Sequence, residues 1–396
     1  MGKRKEIALN FACKYILTPK HNTDKLTDLR RIDCEKKDVK VILNTSNNIM
    51  QLQIDDKCLY FRQCKRHTEI HQYVASQIEY YYTRLHPELS EDRVFIENAL
   101  RDKKNFKKFI SMGIKNDNSS GAHHFLAGHG AGSVGLDGMP AAMEKRVRDF
   151  VQFIWGELFA YRLNGGLKTG EYQTYNALRG IATYRVAKLL GLDALIPKTE
   201  YAMLCIDGET VLFGSVMEEA PGVSVEKMDA VARRDICTPE LQRALNNLNV
   251  LDVICHEKDH RPGNYLVTVD RGKATGVSAF DNDSPNSFGI GGISFETYVG
   301  CSPWALKGRV NRPYVDADLA ERITKVSDKD LKDAIGDLLN KYQVITMKSR
   351  FHKVRNLLTN MPKDRLIPKE LWSEDTIQEE LSGAYGKTYL TKFLEK

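Results

Sequence analysis

The sequence lacks a long apolar run, a Cys-x-x-Cys pair and a strong charge of either sign. No segment approaches the roughly 20 apolar residues that a membrane-spanning helix needs. The basic start MGKRKEIALNFACKY has no apolar core of the kind that a signal peptide carries. No polybasic segment indicates an anchor at a lipid surface. These absences predict a cytoplasmic protein without stable membrane association, while delivery elsewhere as a secreted effector stays open.

Cysteine usage argues against a metal site or a disulfide framework. The closest pair, Cys58 and Cys64, is poorly spaced for zinc. His67 and His71 lie one helical turn apart, but no third ligand stands at a suitable spacing. We therefore expect reduced thiols at all eight positions, which are Cys13, Cys34, Cys58, Cys64, Cys205, Cys237, Cys255 and Cys301.

Charge is nearly balanced, with 58 Lys and Arg against 52 Asp and Glu, and a formal net charge of +6. Such a balance suits a phosphorylated or acidic partner without requiring one. No repeat of aromatic and basic residues is present, so we expect no nucleic-acid partner.

Local patterns predict an α+β protein, with strands and helices first and a mainly helical second half. The run KVILN predicts a strand, and alternating runs around turn residues predict hairpins over 52–64, 196–224 and 264–283. Helical periodicity covers 67–86, 90–110, 141–163, 175–192, 239–255 and most of 316–360. Over 175–192 it predicts one apolar face, formed by Leu178, Ala182, Val186, Leu189 and Leu190.

The stretch HEKDHRPGNYLV, residues 256–267, places two polar residues suited to phosphoryl transfer five positions apart. Asp259 and Asn264 stand at this spacing, and the predicted hairpin that follows leads to Asp281. Phosphoryl transfer requires a carboxylate that receives the proton of the acceptor hydroxyl. It also requires oxygen ligands for Mg²⁺, which an asparagine and a second carboxylate supply. The spacing therefore predicts a phosphotransferase site.

These residues resemble the catalytic and metal-binding loops of the protein-kinase-like fold. DHRPGNYLV is most similar to the D-R-H-x-x-N loop of the phosphatidylinositol 3/4-kinase branch, and SAFDNDSPNSFG resembles its I-D-N-G-x-x-F motif, which the actin-fragmin kinase and bacterial relatives share. ATYRVAKLLGLDALIPKTEY is similar to the long helix and following strand of the nucleotide-binding lobe, and VMEEAPG resembles the adenine-binding hinge. The resemblance covers roughly residues 160–360.

The resemblance implies a role for each residue of the loops. Asp259 corresponds to the catalytic base, and His260 and Arg261 flank the γ-phosphate. Asn264 and Asp281 correspond to the Mg²⁺ ligands. The relatives have Arg before His in this loop, so the order His260 and Arg261 is a departure that leaves open which side chain meets the acceptor.

The nucleotide-binding residues are less clear. The hinge resemblance implies that Met217, Glu218 and Glu219 contact the nucleotide. The family needs a strand Lys that pairs with the phosphates, for which Lys168 is the candidate. The acid expected on the helix is replaced by Gly180, which leaves Glu171 or Glu157 as the partner of the lysine. The sequence GAGSVG, residues 130–135, favours a flexible loop over a phosphate cradle.

The resemblance implies a two-lobed fold with a small mixed N-lobe, a mainly helical C-lobe and an N-terminal α/β extension. The expected segments are the extension over 1–110, a Gly-, Ser- and Asn-rich linker or lid over 111–140, the N-lobe to the hinge over 141–222 and the C-lobe over 223–396. The expected activity is transfer of the γ-phosphate of ATP, with Mg²⁺, to a hydroxyl of a protein or peptide. A phosphoinositide or small-alcohol kinase and a nucleotide-binding pseudokinase are the alternatives.

Overall fold

The computed structural model describes the chain over several ranges. They are residues 30–35, 39–44, 49–54, 56–90, 141–153, 174–206, 208, 210–229, 232, 238–257, 262–282, 288 and 315–373. Over these ranges the fold is α+β, as predicted. The predicted helix over 90–110, apart from its first residue Ser90, and the loop-like stretch 111–140 lie outside the described ranges.

Eleven strands and seven α-helices are described. The strands are β1 (Arg30–Asp33), β2 (Val39–Asn44), β3 (Ile49–Ile54), β4 (Lys57–Gln63), β5 (Thr199–Cys205), β6 (Val211–Glu218), β7 (Val223–Ser224), β8 (Tyr265–Asp270), β9 (Lys273–Ala279), β10 (Val315–Asp316) and β11 (Leu366–Ile367). The helices are α1 (His67–Tyr80), α2 (Ala141–Gln152), α3 (Thr174–Leu189), α4 (Pro239–Cys255), α5 (Ala317–Lys325), α6 (Asp328–Ile335) and α7 (Lys341–Thr359).

Six of these strands form one sheet, in the order β1-β5-β6-β4-β3-β2. All neighbours are antiparallel except β1 and β5, which are parallel. The sheet joins strands from the predicted segments 1–110 and 141–222, because β4 pairs with β6 from Leu59 opposite Glu218 to Gln63 opposite Gly214. A second sheet, in the order β7-β8-β9, carries the candidate catalytic hairpin.

The three predicted hairpins are confirmed as the antiparallel pairs β3–β4, β5–β6 and β8–β9. The turn between β8 and β9 shows why the local sequence is enough to predict a hairpin. Arg271 and Gly272 both have positive φ, at 49° and 76°. Two such residues in succession match the right-handed twist of the flanking strands, which favours a tight hairpin connection.

The helix α3 and its predicted apolar face are confirmed, but burial extends beyond that face. The predicted face is mostly buried, and so are Asn176, Arg179 and Thr183 on other sides of the helix. The physical reason is position, since α3 contacts β5 and β6 as well as α4 and α6. A helix enclosed by a sheet and by other helices buries most of its circumference, including polar side chains that find partners there.

Buried apolar side chains form two clusters. The smaller lies on one face of the six-stranded sheet and contains Leu52, Leu59, Phe61, Leu204 and Val216. The larger joins α1, α2 and α3 with the helices α4 to α7. Within it, the rings of Tyr81 and Phe153 lie 4.6 Å apart between centroids, and those of Tyr82 and Phe150 lie 5.6 Å apart. Aromatic packing thus fastens the end of α1 to α2.

Candidate functional site

The β8–β9 hairpin brings Asn264 and Asp281 to the same place. Asn264 ends a single helical turn that begins at Pro262, and β8 starts at the next residue. Its backbone carbonyl accepts a hydrogen bond of 3.1 Å from the N–H of Phe280, the neighbour of Asp281. The register confirms the juxtaposition, because Tyr265 lies opposite Ala279. Asn264 is 5% exposed, so it enters the hairpin as a buried residue.

Asp281 is held in an unusual backbone conformation. Its φ is 61°, in the left-handed region that L-residues other than Asn, Asp and Gly seldom adopt. Aspartate tolerates this region better than most residues do, and neighbouring hydrogen bonds support the conformation here. The next residue, Asn282, is fixed on both sides. Its side-chain amide donates a hydrogen bond of 2.8 Å to the Ala279 carbonyl. The Thr183 hydroxyl of α3 donates to the Asn282 carbonyl at 3.1 Å.

Arg62, near the end of β4, is the cation that meets Asp281. Its guanidinium Nη2 lies 3.7 Å from the Asp281 carboxylate, with side-chain exposures of 12% and 45% for Arg62 and Asp281. Burial lowers the pKa of the Arg62 guanidinium from its usual range, and the Asp281 carboxylate opposes that shift. An arginine stays protonated despite such a shift, so a fixed positive charge faces the carboxylate.

Close approach of two strands positions Arg62. Gly214 of β6 lies beside β4, where an added Cβ would collide with the Arg62 carbonyl oxygen and the Phe61 ring. Ser215 stands opposite Arg62 in the β4–β6 register, and Met217 stands opposite Tyr60. Because side chains on a strand alternate between faces, Arg62, Tyr60, Ser215 and Met217 share one face of the sheet. Met217, a predicted nucleotide contact, therefore lies on the same face as Arg62.

The other two predicted hinge residues make contacts at the end of β6. Glu218 lies 3.7 Å from Arg30 and 3.8 Å from Lys198. The Tyr60 hydroxyl donates to Glu219 at 3.5 Å. Burial is the main cause that raises the pKa of Tyr60 to about 12, and the nearby Cys58 and Glu219 add to it. The carboxylates of Glu218 and Glu219 therefore both have partners within the chain.

A buried polar layer lies behind the site, where α4 ends. His256 has a φ of 61° and ends the helix, and its N–H donates to the Asp252 carbonyl. Glu257 and Arg179 are both fully buried. Burial lowers the pKa of the Arg179 guanidinium; the Glu257 carboxylate opposes the shift and Arg62 adds to it. Arg62 therefore interacts electrostatically with Asp281 and with Arg179, and Arg179 in turn interacts with Glu257.

Several predicted site residues lie outside the described ranges. These are the loop residues Asp259, His260 and Arg261, together with Lys168, Glu171 and Glu157. Gly180, which stands where the resemblance expects an acid, is a half-buried residue of α3. The structure thus brings Asn264 next to Asp281, and the roles of the loop residues stay predictions.

Arg62 is the residue that the sequence interpretation missed. The pattern of β4 did contain a signal, because a single arginine stands among apolar residues in KCLYFRQ. Its importance depends on the pairing of β4 with β6, which joins segments about 150 residues apart along the chain. No local periodicity encodes such a pairing.

The side chains of Asn264 and Asp281 match the chemistry of a magnesium site. They supply an amide oxygen and a carboxylate oxygen, which are hard ligands of the type that Mg²⁺ prefers. In the described part of the chain, no cluster of three His, Cys, Asp or Glu side chains is arranged to hold a metal ion. The five described cysteines, Cys34, Cys58, Cys64, Cys205 and Cys255, are free thiols.

Comparison with known proteins does not assign the chain to a family. No family model matches the sequence, and no curated protein matches it. Among the helices of the described ranges, none combines the length and the apolar character needed to cross a bilayer.

Proposed function

We propose that this protein is an ATP- and Mg²⁺-dependent phosphotransferase that transfers the γ-phosphate to a hydroxyl of a protein or peptide. The observation that carries the proposal is the meeting of Asn264, Asp281 and Arg62 at one end of the β8–β9 hairpin. Two oxygen ligands beside a buried cation are the parts that phosphoryl transfer requires around the phosphates. The sequence motifs support the same interpretation, since they occur in the order of the kinase-like branch that they resemble.

In the proposed arrangement, the six-stranded sheet with α1 and α3 forms the nucleotide-binding lobe, and α4 to α7 form the helical lobe. Residues 219–222 then cross between the lobes as the hinge. Arg62 replaces the lysine that kinase-like proteins carry on a strand, and it pairs with the α- and β-phosphates. A guanidinium suits that part, because its planar fork binds phosphate oxygens in pairs.

Each remaining residue has a defined task in this proposal. Asp259 accepts the proton of the attacking hydroxyl, and His260 and Arg261 lie toward the γ-phosphate. Asn264 and Asp281 would hold Mg²⁺, which when bound neutralises charge on the β- and γ-phosphates. Thr183 and Asn282 keep the Asp281 carboxylate in position through the hydrogen bonds described above.

A nucleotide-binding protein without turnover is the second candidate. The observation that favours it is Gly180 of α3. The resemblance places at this position a glutamate that orients the phosphate-binding cation, and glycine cannot do so. In that case ATP raises the melting temperature of the protein, but no phosphoryl transfer is measured. The assay below separates the two candidates.

The test uses γ-labelled ATP, Mg²⁺ and a cell lysate with purified protein. Wild-type protein is expected to label a protein band, and Asp281→Asn is expected to reduce labelling at least about a hundredfold. Asp270→Asn is the matched control, because Asp270 is an exposed acid at the opposite end of the same hairpin. Equal labelling by Asp281→Asn would exclude the proposed metal ligand. Label confined to the lipid extract would favour the phosphoinositide alternative.

A further inference from the structure

A cavity of about 280 Å³ lies beside the first half of α4. Its walls come from the turn after α3, from Pro239 to Asn247 of α4, from α5 and from the segment after β11. Its apolar walls include Leu192, Leu195 and Trp372. This volume is slightly below the roughly 300–1,000 Å³ of drug-sized ligand sites, so the cavity suits a small ligand.

This cavity is separate from the candidate phosphotransferase site. The 17 residues of α4 span about 25 Å, at a rise of 1.5 Å per residue. The cavity adjoins the N-terminal half of the helix, whereas the loop that leads to Asn264 follows its C-terminal end. A ligand bound in the cavity would therefore not contact Asp281 or Arg62.

The charges at the cavity are predominantly positive. Arg322 and Lys369 line it, and neither makes an ion pair within the described part of the chain. Arg243 also lines it, but its guanidinium is held by Asp316 and Asp318. Glu240 is the acid of the lining. Two cations without an acidic partner are thus available to a ligand.

The guanidinium of Arg322 has a defined position. It lies against the turn at Gly191, where an added Cβ would be 3.3 Å from the Nη1 atom. Gly191 has a φ of 67°, so the turn itself favours glycine and leaves this space open. A guanidinium placed against a rigid turn loses less conformational freedom when it binds an anion.

Two buried polar groups in the wall also lack partners. Asn247 is 5% exposed and Trp372 is 6% exposed, and both line the cavity. The Asn247 Oδ1 and the Trp372 Nε1 have no hydrogen-bond partner within the described ranges. Both atoms have almost no surface accessible to water, so they lie behind the cavity wall and are not groups that contact an occupant.

We infer that this cavity binds a small organic anion. Its carboxylate or phosphate group pairs with Arg322 and Lys369, and its apolar part packs against Leu192, Leu195 and Trp372. The positive end of α4, whose first turn adjoins the cavity, adds to the attraction for an anion.

The experiment is calorimetric titration of the full chain with three probes of similar shape: phenyl phosphate, 3-phenylpropionate and the neutral 3-phenylpropan-1-ol. The two anions are expected to bind at least about tenfold more tightly than the alcohol, because charge-assisted hydrogen bonds are worth more than neutral ones. Arg322→Gln and Lys369→Gln are each expected to weaken binding of the anions by about tenfold. Lys329→Gln, an exposed lysine of α6 away from the cavity, is the control and is expected to bind as wild type does.

The fluorescence of Trp372 locates the bound probe. Anion binding is expected to change the tryptophan emission, and Trp372→Phe is expected to remove that change. Absence of binding by both anions, equal affinity for the alcohol, or wild-type affinity in both charge variants would overturn the inference. Binding that persists with an unchanged Trp372 signal would overturn the assignment to this cavity. None of these outcomes depends on phosphoryl transfer, since Arg322, Lys369 and Trp372 lie outside the proposed catalytic machinery.

Discussion

Arg62 on β4 and Asp281, two residues after the end of β9, approach within 3.7 Å, although β4 and β9 belong to different sheets and lie far apart in the sequence. This contact joins the six-stranded sheet to the hairpin that carries Asn264. A largely buried cation therefore faces the carboxylate that we propose as a Mg²⁺ ligand.

The first prediction concerns the charge of Arg62. Arg62→Gln is expected to weaken binding of a non-hydrolysable ATP analogue by about 10- to 100-fold, because a hydrogen bond to a charged group contributes about 1.5–3 kcal/mol. Arg62→Lys keeps the charge without the planar fork and is expected to bind with intermediate affinity. Titration calorimetry with the analogue and Mg²⁺ measures the effect. Arg271→Gln, in the exposed hairpin turn, is the control. Unchanged affinity in Arg62→Gln would place Arg62 outside the nucleotide site.

The second prediction concerns the close approach of β6 to Arg62. Gly214→Ala is expected to lower the free energy of unfolding by about 1–3 kcal/mol, because the new Cβ collides with backbone atoms of Arg62 that cannot move aside cheaply. The same change is expected to weaken nucleotide binding by displacing Arg62. Gly276→Ala in β9 is the matched control, since its Cβ would meet no atom within 4 Å. Urea denaturation compares the two variants, and equal stability would contradict the described pairing of β4 with β6.

The third prediction concerns the start of α4. The Thr238 hydroxyl accepts a hydrogen bond from the Leu241 N–H at 3.1 Å and donates to the Ala274 carbonyl at 3.0 Å. It thus caps the helix and fastens it to the β8–β9 hairpin. Thr238→Ala is expected to lower the free energy of unfolding by about 1–2 kcal/mol, as loss of a helix cap does. Thr238→Ser keeps the hydroxyl and is expected to lower the free energy of unfolding by less than Thr238→Ala does. Chemical denaturation of both variants measures the difference, and equal losses would show that the methyl group, and not the cap, is responsible.

The fourth prediction concerns pH. Hydrogen bonds from Lys348 and His352 lower the pKa of Asp328 from 3.8 to about 2. Because the folded-state pKa lies below the unfolded value, the ionised carboxylate stabilises the fold above about pH 4, and this contribution is lost as the pH falls toward 2. Asp328→Asn is expected to cost about 0.5 kcal/mol at pH 7, since a half-exposed ion pair is screened by water.

Unfolding of the wild type and of Asp328→Asn at pH 7, 5 and 3 measures that difference. The difference is expected to be smaller at pH 3 than at pH 5, and added salt is expected to reduce it. Asp333→Asn, which removes another exposed acid of α6, is expected to have no comparable effect. A difference that grows toward pH 3 would contradict the direction of the shift.

The juxtaposition of Asn264 and Asp281 was predictable because it is local. A tight turn at Arg271 and Gly272 sets the register of β8 and β9, and the register then determines which residues meet at the far ends of the hairpin. The helix α4 was predictable for the same kind of reason. Its capping threonine, its proline at the first helical position and its apolar periodicity all lie within its own sequence.

The partner of Asp281 was not predictable from such patterns. Lys168 was the sequence candidate for the phosphate-binding cation because it stands just before the predicted helix. Arg62 became a candidate only through the β4–β6 pairing and the position of α3, which anchors Asn282. The burial of α3 on most sides likewise depends on neighbours that come from distant parts of the chain.

The hairpins and the helices thus follow from turn chemistry, helix caps and short-range periodicity, because each depends on residues a few positions apart. The same local patterns place Asn264 and Asp281 at one end of the β8–β9 hairpin. The contact of Arg62 with Asp281, the enclosure of α3 and the cationic cavity beside α4 arose from the packing of remote segments. Such contacts depend on the three-dimensional complementarity of whole surfaces, which no short stretch of sequence contains.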